Sequence, residues 1–345
     1  MGVRVSGRGV AAASAAQCLS ARGVDVIGDA QNPGVIRQAP VVMLGDQARA
    51  LLVDVFAGHA GLADVMAGAH RIERRVVRWG EDEPQTFGHA GLVVPGDLLA
   101  RTLPVPDPSA APGPAAFTLS TTPSTDARLL RFGAREAVAV PVVLTDGADR
   151  GAALVEALDH GWLFLIPTGG DDGWLLAVGA DPDQALRDSR LVAPAVAATG
   201  AVSSSFETAP RMLDDPTAAH RLTVGSAALA FDPICGDGTA SAVRGGILAA
   251  AIAAAMTGAD LPVLDPGLDC ERLTGHYRSM MIAAMRRHLT VSWPFYARGG
   301  RSQWWAGQAD ALAEGHAWCT RQLAEAGEAR FVLAGDRLIA RGVAA

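Results

Sequence analysis

The chain has 345 residues and a mass of 35.5 kDa, enough for one large α/β domain or for two that share a site. Apolar residues make up 50% of it and charged residues 19%, which supports a sizeable core and excludes general disorder. A formal charge of −7 excludes a nucleic-acid binder that works through a basic face.

All 29 basic side chains are arginine, so chemistry that needs a lysine is excluded as well. That covers Schiff-base catalysis, the phosphate lysine of a P-loop and lysine-dependent transfer of an activated halogen.

In chain order, residues 3–27 read as strand, tight turn, helix and second strand. Residues 46–60 carry a helical stripe of Leu51, Leu52, Val55 and Phe56, and 72–79 and 85–94 alternate as strands. The Pro/Ala/Ser-rich run from Pro104 to Pro114 predicts a loop or linker. Strands return at 137–145 and as a pair at 162–167 and 174–179; a helix follows over 239–256, and the rest from about 268 is expected to be mostly helical. Ile247–Met256 is apolar but too short to span a bilayer, which predicts a buried helix and no membrane association.

Four scattered cysteines and eight scattered histidines offer no metal-ligand spacing, so no metal site is expected. With no signal-like stretch at the start, a reduced, soluble, cytoplasmic chain is expected.

Two glycine-bearing strings carry the chemistry. In VRVSGRGVAAASAA, Gly7, Gly9 and Ala12 fill the positions of a G-x-G-x-x-[GA] turn. Gly7 allows the turn, Gly9 lets backbone reach a pyrophosphate, and Ala12 permits close packing of helix on strand. The acidic residue that closes the second strand of such a unit falls at Ala30, leaving Asp29 as the nearby carboxylate. The second string is 224–248, VGSAALAFDPICGDGTASAVRGGIL. There Asp232 and Pro233 end a strand-like segment, Gly236 and Gly238 bring backbone into a turn, and Thr239 is placed to cap the next helix. Such a helix N-terminus favours developing negative charge.

Together the two strings resemble the FAD-dependent aromatic monooxygenase and tryptophan halogenase superfamily, with its p-hydroxybenzoate hydroxylase-like fold. RRVVRWG, GHAGLVVP, GWLFLIP and HLTVSWPFYARGG are similar to the branch whose flavoproteins modify tryptophan during maturation of quinone cofactors. The resemblance implies an α/β fold: an FAD-binding Rossmann-like parallel-sheet domain, an inserted antiparallel substrate-domain sheet and a helical C-terminal region. The boundaries expected are 1–60 with 95–135 and 215–260 for FAD, 61–94 with 136–214 for the substrate sheet, and 261–345 for the helical part.

On the same resemblance Gly7, Gly9 and Ala12 face the FAD pyrophosphate. Gly225 and Ser226 stand where the family has Gly-Asp, Pro233 passes the isoalloxazine, and Gly236, Asp237, Gly238 and Thr239 line it. The activity implied is hydroxylation of an aromatic ring through a flavin C4a-hydroperoxide, on a free tryptophan- or phenol-like molecule or a residue in a partner peptide. Electrons come from NAD(P)H or a separate flavin reductase. Asp232 and His89 are the candidate catalytic residues; Trp162, Phe164, Tyr277 and Trp304 are the candidate substrate-binding ones. Alternatives are a flavin oxidase or dehydrogenase, a halogenase-like protein without the catalytic lysine, and a degenerate FAD-fold protein that binds a partner.

Overall fold

The computed structural model describes residues 2–29, 39–104, 115–218, 220–258, 266–327, 331–335 and 337–340. Ala30 and most of the Pro-rich stretch expected as a linker, 105–114, lie outside the described residues. The helices are α1 (Val10–Ala21), α2 (Asp46–Val55), α3 (Ala60–Ala67), α4 (Gly96–Thr102), α5 (Pro182–Asp188), α6 (Gly238–Met256), α7 (Pro266–Arg298) and α8 (Gln303–Ala326).

Two main sheets divide the strands. The first has five, in the spatial order 217–218, 221–223, 115–120, 2–6, 26–28. Its neighbours run parallel except at the 217–218 edge. The second has nine strands and is antiparallel apart from His70–Arg78, which runs parallel to Ala152–Ala157. Val41–Leu44 belongs to this second sheet, paired antiparallel with Gln85–Pro95. The fold is thus mixed α/β, a Rossmann-like parallel sheet joined to a large antiparallel one, with a helical C-terminal region.

The C-terminal region does not stay helical to its end. Phe331–Ala334 and Arg337–Ala340 pair as an antiparallel hairpin around Gly335, whose φ is +62°. Phe331 and Leu338 tuck into the main core, so the period-two pattern of a half-buried strand overrides the helical expectation there.

Helix α6 lies against the first sheet at the strand Ala115–Ser120. Its Ala-rich sequence has no polar face, and Leu248 to Ala254 are all buried, as suits a helix packed on every side. At 19 residues α6 starts one residue before the expected 239–256, and by length and composition alone it could cross a membrane. It packs instead on α1, α2 and α7. Small residues make that packing possible: a Cβ on Gly246 would stand 2.5 Å from the Ala11 carbonyl oxygen and 2.9 Å from Ser14 Cβ. This contact packs the first turns of α1 against the middle of α6.

Candidate cofactor and substrate site

The first glycine turn connects the strand Gly2–Ser6 to α1. Gly7 has φ +102° and Gly9 has φ +105°, conformations that side chains rarely adopt. Their surroundings differ. A Cβ on Gly7 would collide with Thr121 on the loop after the neighbouring strand, whereas one on Gly9 would meet nothing within 4 Å. Gly9 is also the N-cap of α1, and no side chain caps that helix. The outward amides of its first turn are thereby left for an anion. Ala12 is buried behind them, and Asp29 is half-buried just past the strand Val26–Gly28.

The second turn reaches the start of α6. Gly225–Ala227 form a single 3-10 turn resting on Ala11, and Asp232 caps the 3-10 turn Pro233–Cys235 by accepting from Ile234 N at 2.9 Å. Gly236 then takes the left-handed conformation, φ +67°. Helix α6 begins at Gly238 with Asp237 at its N-cap position and no side-chain cap. Thr239 therefore does not cap α6. It lies inside the first turn, where a side chain sits past the amides a cap must reach.

Two uncapped helix N-termini, both entered through glycine and borne on helices that pack at Ala11 and Gly246, fit the pyrophosphate and the ring of an FAD. Ser226 supplies a hydroxyl, without charge, where the resemblance places an aspartate.

Beside the second turn lies a cavity of about 910 Å³. Gly225, Ser226, Pro233, Asp237, Gly238 and Tyr277 line it, so the structure gathers these expected site residues on one space. Phe231, Leu229, Leu248, Met281 and Ala284 give it an apolar wall; Arg244 and Arg287 stand exposed on its border. Tyr277 presents its ring only, because its hydroxyl donates to Thr223 O at 2.8 Å. His288 lines the wall as well, stacked on Phe231 at 4.3 Å and accepting from Asp232 N through Nε2 at 3.0 Å. Burial, and then Arg135, pushes its pKa down to about 3, so it is neutral at neutral pH. Burial also holds Asp237 above the ordinary carboxylate range.

Asp232 does not line that cavity. Its carboxylate is turned inward and is 1% exposed. Oδ2 takes Arg135 Nε at 3.1 Å and the Tyr296 hydroxyl at 2.6 Å; Oδ1 takes Ile234 N. Arg135 in turn gives Nη1 to Gln308 Oε1 at 2.7 Å and lies 4.2 Å over the Tyr296 ring. Trp162 donates to the Tyr296 hydroxyl at 3.2 Å and is fully buried. The candidates Trp162 and Asp232 thus join Arg135 and Tyr296 in one network under the second glycine turn.

Phe164 and His89 fall elsewhere, on the face of the large sheet that meets that turn. Phe164 lies under Arg75, whose Cζ is 5.6 Å from the ring centroid, and Arg75 Nη2 is 3.7 Å from where a Cβ of Gly236 would stand. Burial, then the charge of Arg75, lowers the His89 pKa. Trp304 is half-buried over Gly179, in ring contact with Trp305 and Tyr296, away from the cavity. Arg75 escapes sequence reasoning because a strand with four arginines looks like a solvated face. Only its position in the alternation, pointing inward, could have marked it.

No family model matches the chain, and no curated protein matches it. Solved structures do. A peptidyl tryptophan dihydroxylase, QhpG, essential for tryptophylquinone cofactor biogenesis, is similar at 17% identity, TM-score 0.62, over 89% of this chain and 78% of that one. CmlS, a flavin-dependent halogenase, is similar at 17% identity and TM-score 0.66, over 94% and 71% of the two chains. The p-nitrophenol 4-monooxygenase PnpA from Pseudomonas putida DLL-E4 is similar at 16% identity and TM-score 0.62, over 94% and 95%. At these identities the likeness shows a shared fold.

Proposed function

We propose that this chain is an FAD-dependent monooxygenase that hydroxylates an aromatic ring. The observation that carries this is the pairing of two uncapped, glycine-entered helix N-termini beside an apolar cavity large enough for an indole or phenol. Likeness in fold to a tryptophan dihydroxylase and a phenol monooxygenase supports the same reading. The substrate is a tryptophan- or phenol-like ring, free or carried on a peptide. Electrons arrive from NAD(P)H directly or through a separate flavin reductase, and the four cysteines, which form no disulfide among the described residues, suit a cytoplasmic setting.

Bound FAD supplies the oxygen chemistry that no side chain can. The chain's own part is to hold and to exclude. Phe231, Leu248, Met281 and Ala284 keep water from the ring, and Gly236 lets backbone come close to a ligand. Asp232, bonded on both oxygens, holds the second turn in shape; we assign it positioning, and place His89 with the ligand-facing groups of the large sheet.

The test starts from the visible spectrum of the purified chain with and without added FAD. Substrate candidates are then turned over under isotopically labelled dioxygen, and label in the hydroxylated ring is expected. Stoichiometric FAD with no label in any product, and hydrogen peroxide instead, would favour the oxidase alternative and end this proposal. With bromide present no brominated product is expected, since the chain holds no lysine. Gly9→Ala should weaken FAD retention, because a methyl group would stand in the open space at the start of α1.

A further inference from the structure

The strand His70–Arg78 carries Arg71, Arg74, Arg75 and Arg78. Arg71 is exposed; Arg74 pairs with Asp149 at 2.5 Å and Arg78 with Glu156 at 3.1 Å. Arg75 is different. It is half-buried, its Nε is shut off from solvent without a partner, and it forms no ion pair among the described residues. The unsatisfied Nε carries a desolvation cost, and the Phe164 ring at 5.6 Å offsets only part of it.

What faces Arg75 indicates what completes it. Phe87 is its cross-strand partner, and His89 follows two residues along on the same face, with Nε2 likewise buried and unpartnered. Opposite stands the second glycine turn, with Gly236 in contact range of the guanidinium and the uncapped start of α6 just beyond. Two orphaned nitrogens and a helix N-terminus thus bound one interface between sheet and turn. The guanidinium and the helix N-terminus favour negative charge, and a neutral His89 ring can donate a hydrogen bond to it in its Nε2–H tautomer.

We propose that Arg75 is the cationic side of an anion subsite between the large sheet and the glycine turn, and that it takes a planar, delocalised anion. That chemistry has two sources: the pyrimidine edge of reduced FAD, or the carboxylate of an aromatic acid. Only the first source rests on the FAD reading above.

The experiment compares the full chain with Arg75→Gln and Arg75→Lys. It reads the affinity for oxidised FAD, the midpoint potential of bound FAD, and benzoate affinity by calorimetry with and without FAD. If reduced FAD is the anion, Arg75→Gln loses about tenfold of its preference for reduced over oxidised FAD, a fall of about 30 mV for a two-electron couple. If a substrate acid is the anion, Arg75→Gln leaves the potential in place and binds benzoate about tenfold more weakly. Arg75→Lys keeps most of either property, having kept the charge. A folded Arg75→Gln with potential and benzoate affinity both unchanged overturns the proposal; so does its failure to fold, since an unpartnered cation has no structure to support. Absence of FAD binding in the parent chain defeats the flavin reading, and the benzoate arm then decides this proposal alone.

Discussion

Two arginines approach the second glycine turn from opposite sides, and they live in opposite circumstances. Arg135 is fully buried and paired: Nε donates to Asp232, Nη2 lies 2.9 Å from the same carboxylate, Nη1 donates to Gln308, and the Tyr296 ring lies against it. Arg75 is half-buried and has an aromatic face beneath it but no anion. A charge whose partners come from its own chain has its desolvation offset within the fold, so it supports the structure. A charge without such partners costs stability until something else arrives, and sites kept at that cost are usually sites of binding. Burial alone does not separate structural from functional arginines. Pairing does.

The comparison can be broken most violently at Asp232. Asp232→Ala leaves Arg135 buried without its anion, and a loss of about 3–5 kcal/mol in denaturant unfolding is expected. Arg75→Met should do the reverse in the ligand-free chain, leaving the melting temperature unchanged or raising it. A large loss of stability there would erase the distinction drawn between the two residues.

A second expectation concerns pH. His288 sits fully buried beside the Arg135 network, with a pKa lowered to about 3 from the ordinary value of 6.5. Because its folded value is lowered, the unfolded chain binds the extra proton first as pH falls. Its contribution is therefore complete above about pH 6.5 and is lost on acidification, at up to about 1.4 kcal/mol per pH unit. His276, lowered by burial, acts in the same direction, so the difference in slope between the parent chain and His288→Gln isolates His288. Equal slopes between pH 5 and 6.5 would show that the buried imidazole is not neutral as inferred.

Tyr296→Phe removes the hydrogen bond to the Asp232 carboxylate and the acceptor of Trp162 Nε1 but leaves the ring under Arg135, so about 1.5–3 kcal/mol of stability should go, with the pH slope retained. The smallest effect lies on the other side of the turn. In a double-mutant cycle, Phe164→Leu and Arg75→Met should couple by about 0.5–1 kcal/mol, the worth of one cation over one ring. No coupling would mean that the Phe164 ring merely fills space.

Much of this molecule could be read from its sequence. The Gly7–Gly9 turn and the helix after it are local: positive φ, a tight approach and small residues are properties of a few neighbouring positions. The alternation at 72–79 and the short continuous apolar run at 162–167 mark strands for the same reason, and the longer all-apolar run in α6 marks a buried helix. The N-cap position falls at Asp237, two residues before Thr239, because which residue takes it depends on where the chain bends, and the left-handed Gly236 starts the helix early.

What the sequence could not supply was partnership across distance. Asp232 and Arg135 are 97 positions apart, and Tyr296 is a further 64 beyond Asp232. A carboxylate beside a glycine turn reads as an exposed site residue until a strand from the large sheet and a helix from the C-terminal region close over it. Arg75 shows the same limit from the other side. Among four arginines on one strand, local chemistry makes all four equivalent. Tertiary packing gave Asp149 to Arg74 and Glu156 to Arg78 and left Arg75 facing the glycine turn, because the distribution of carboxylates around a strand is set by which elements fold against it.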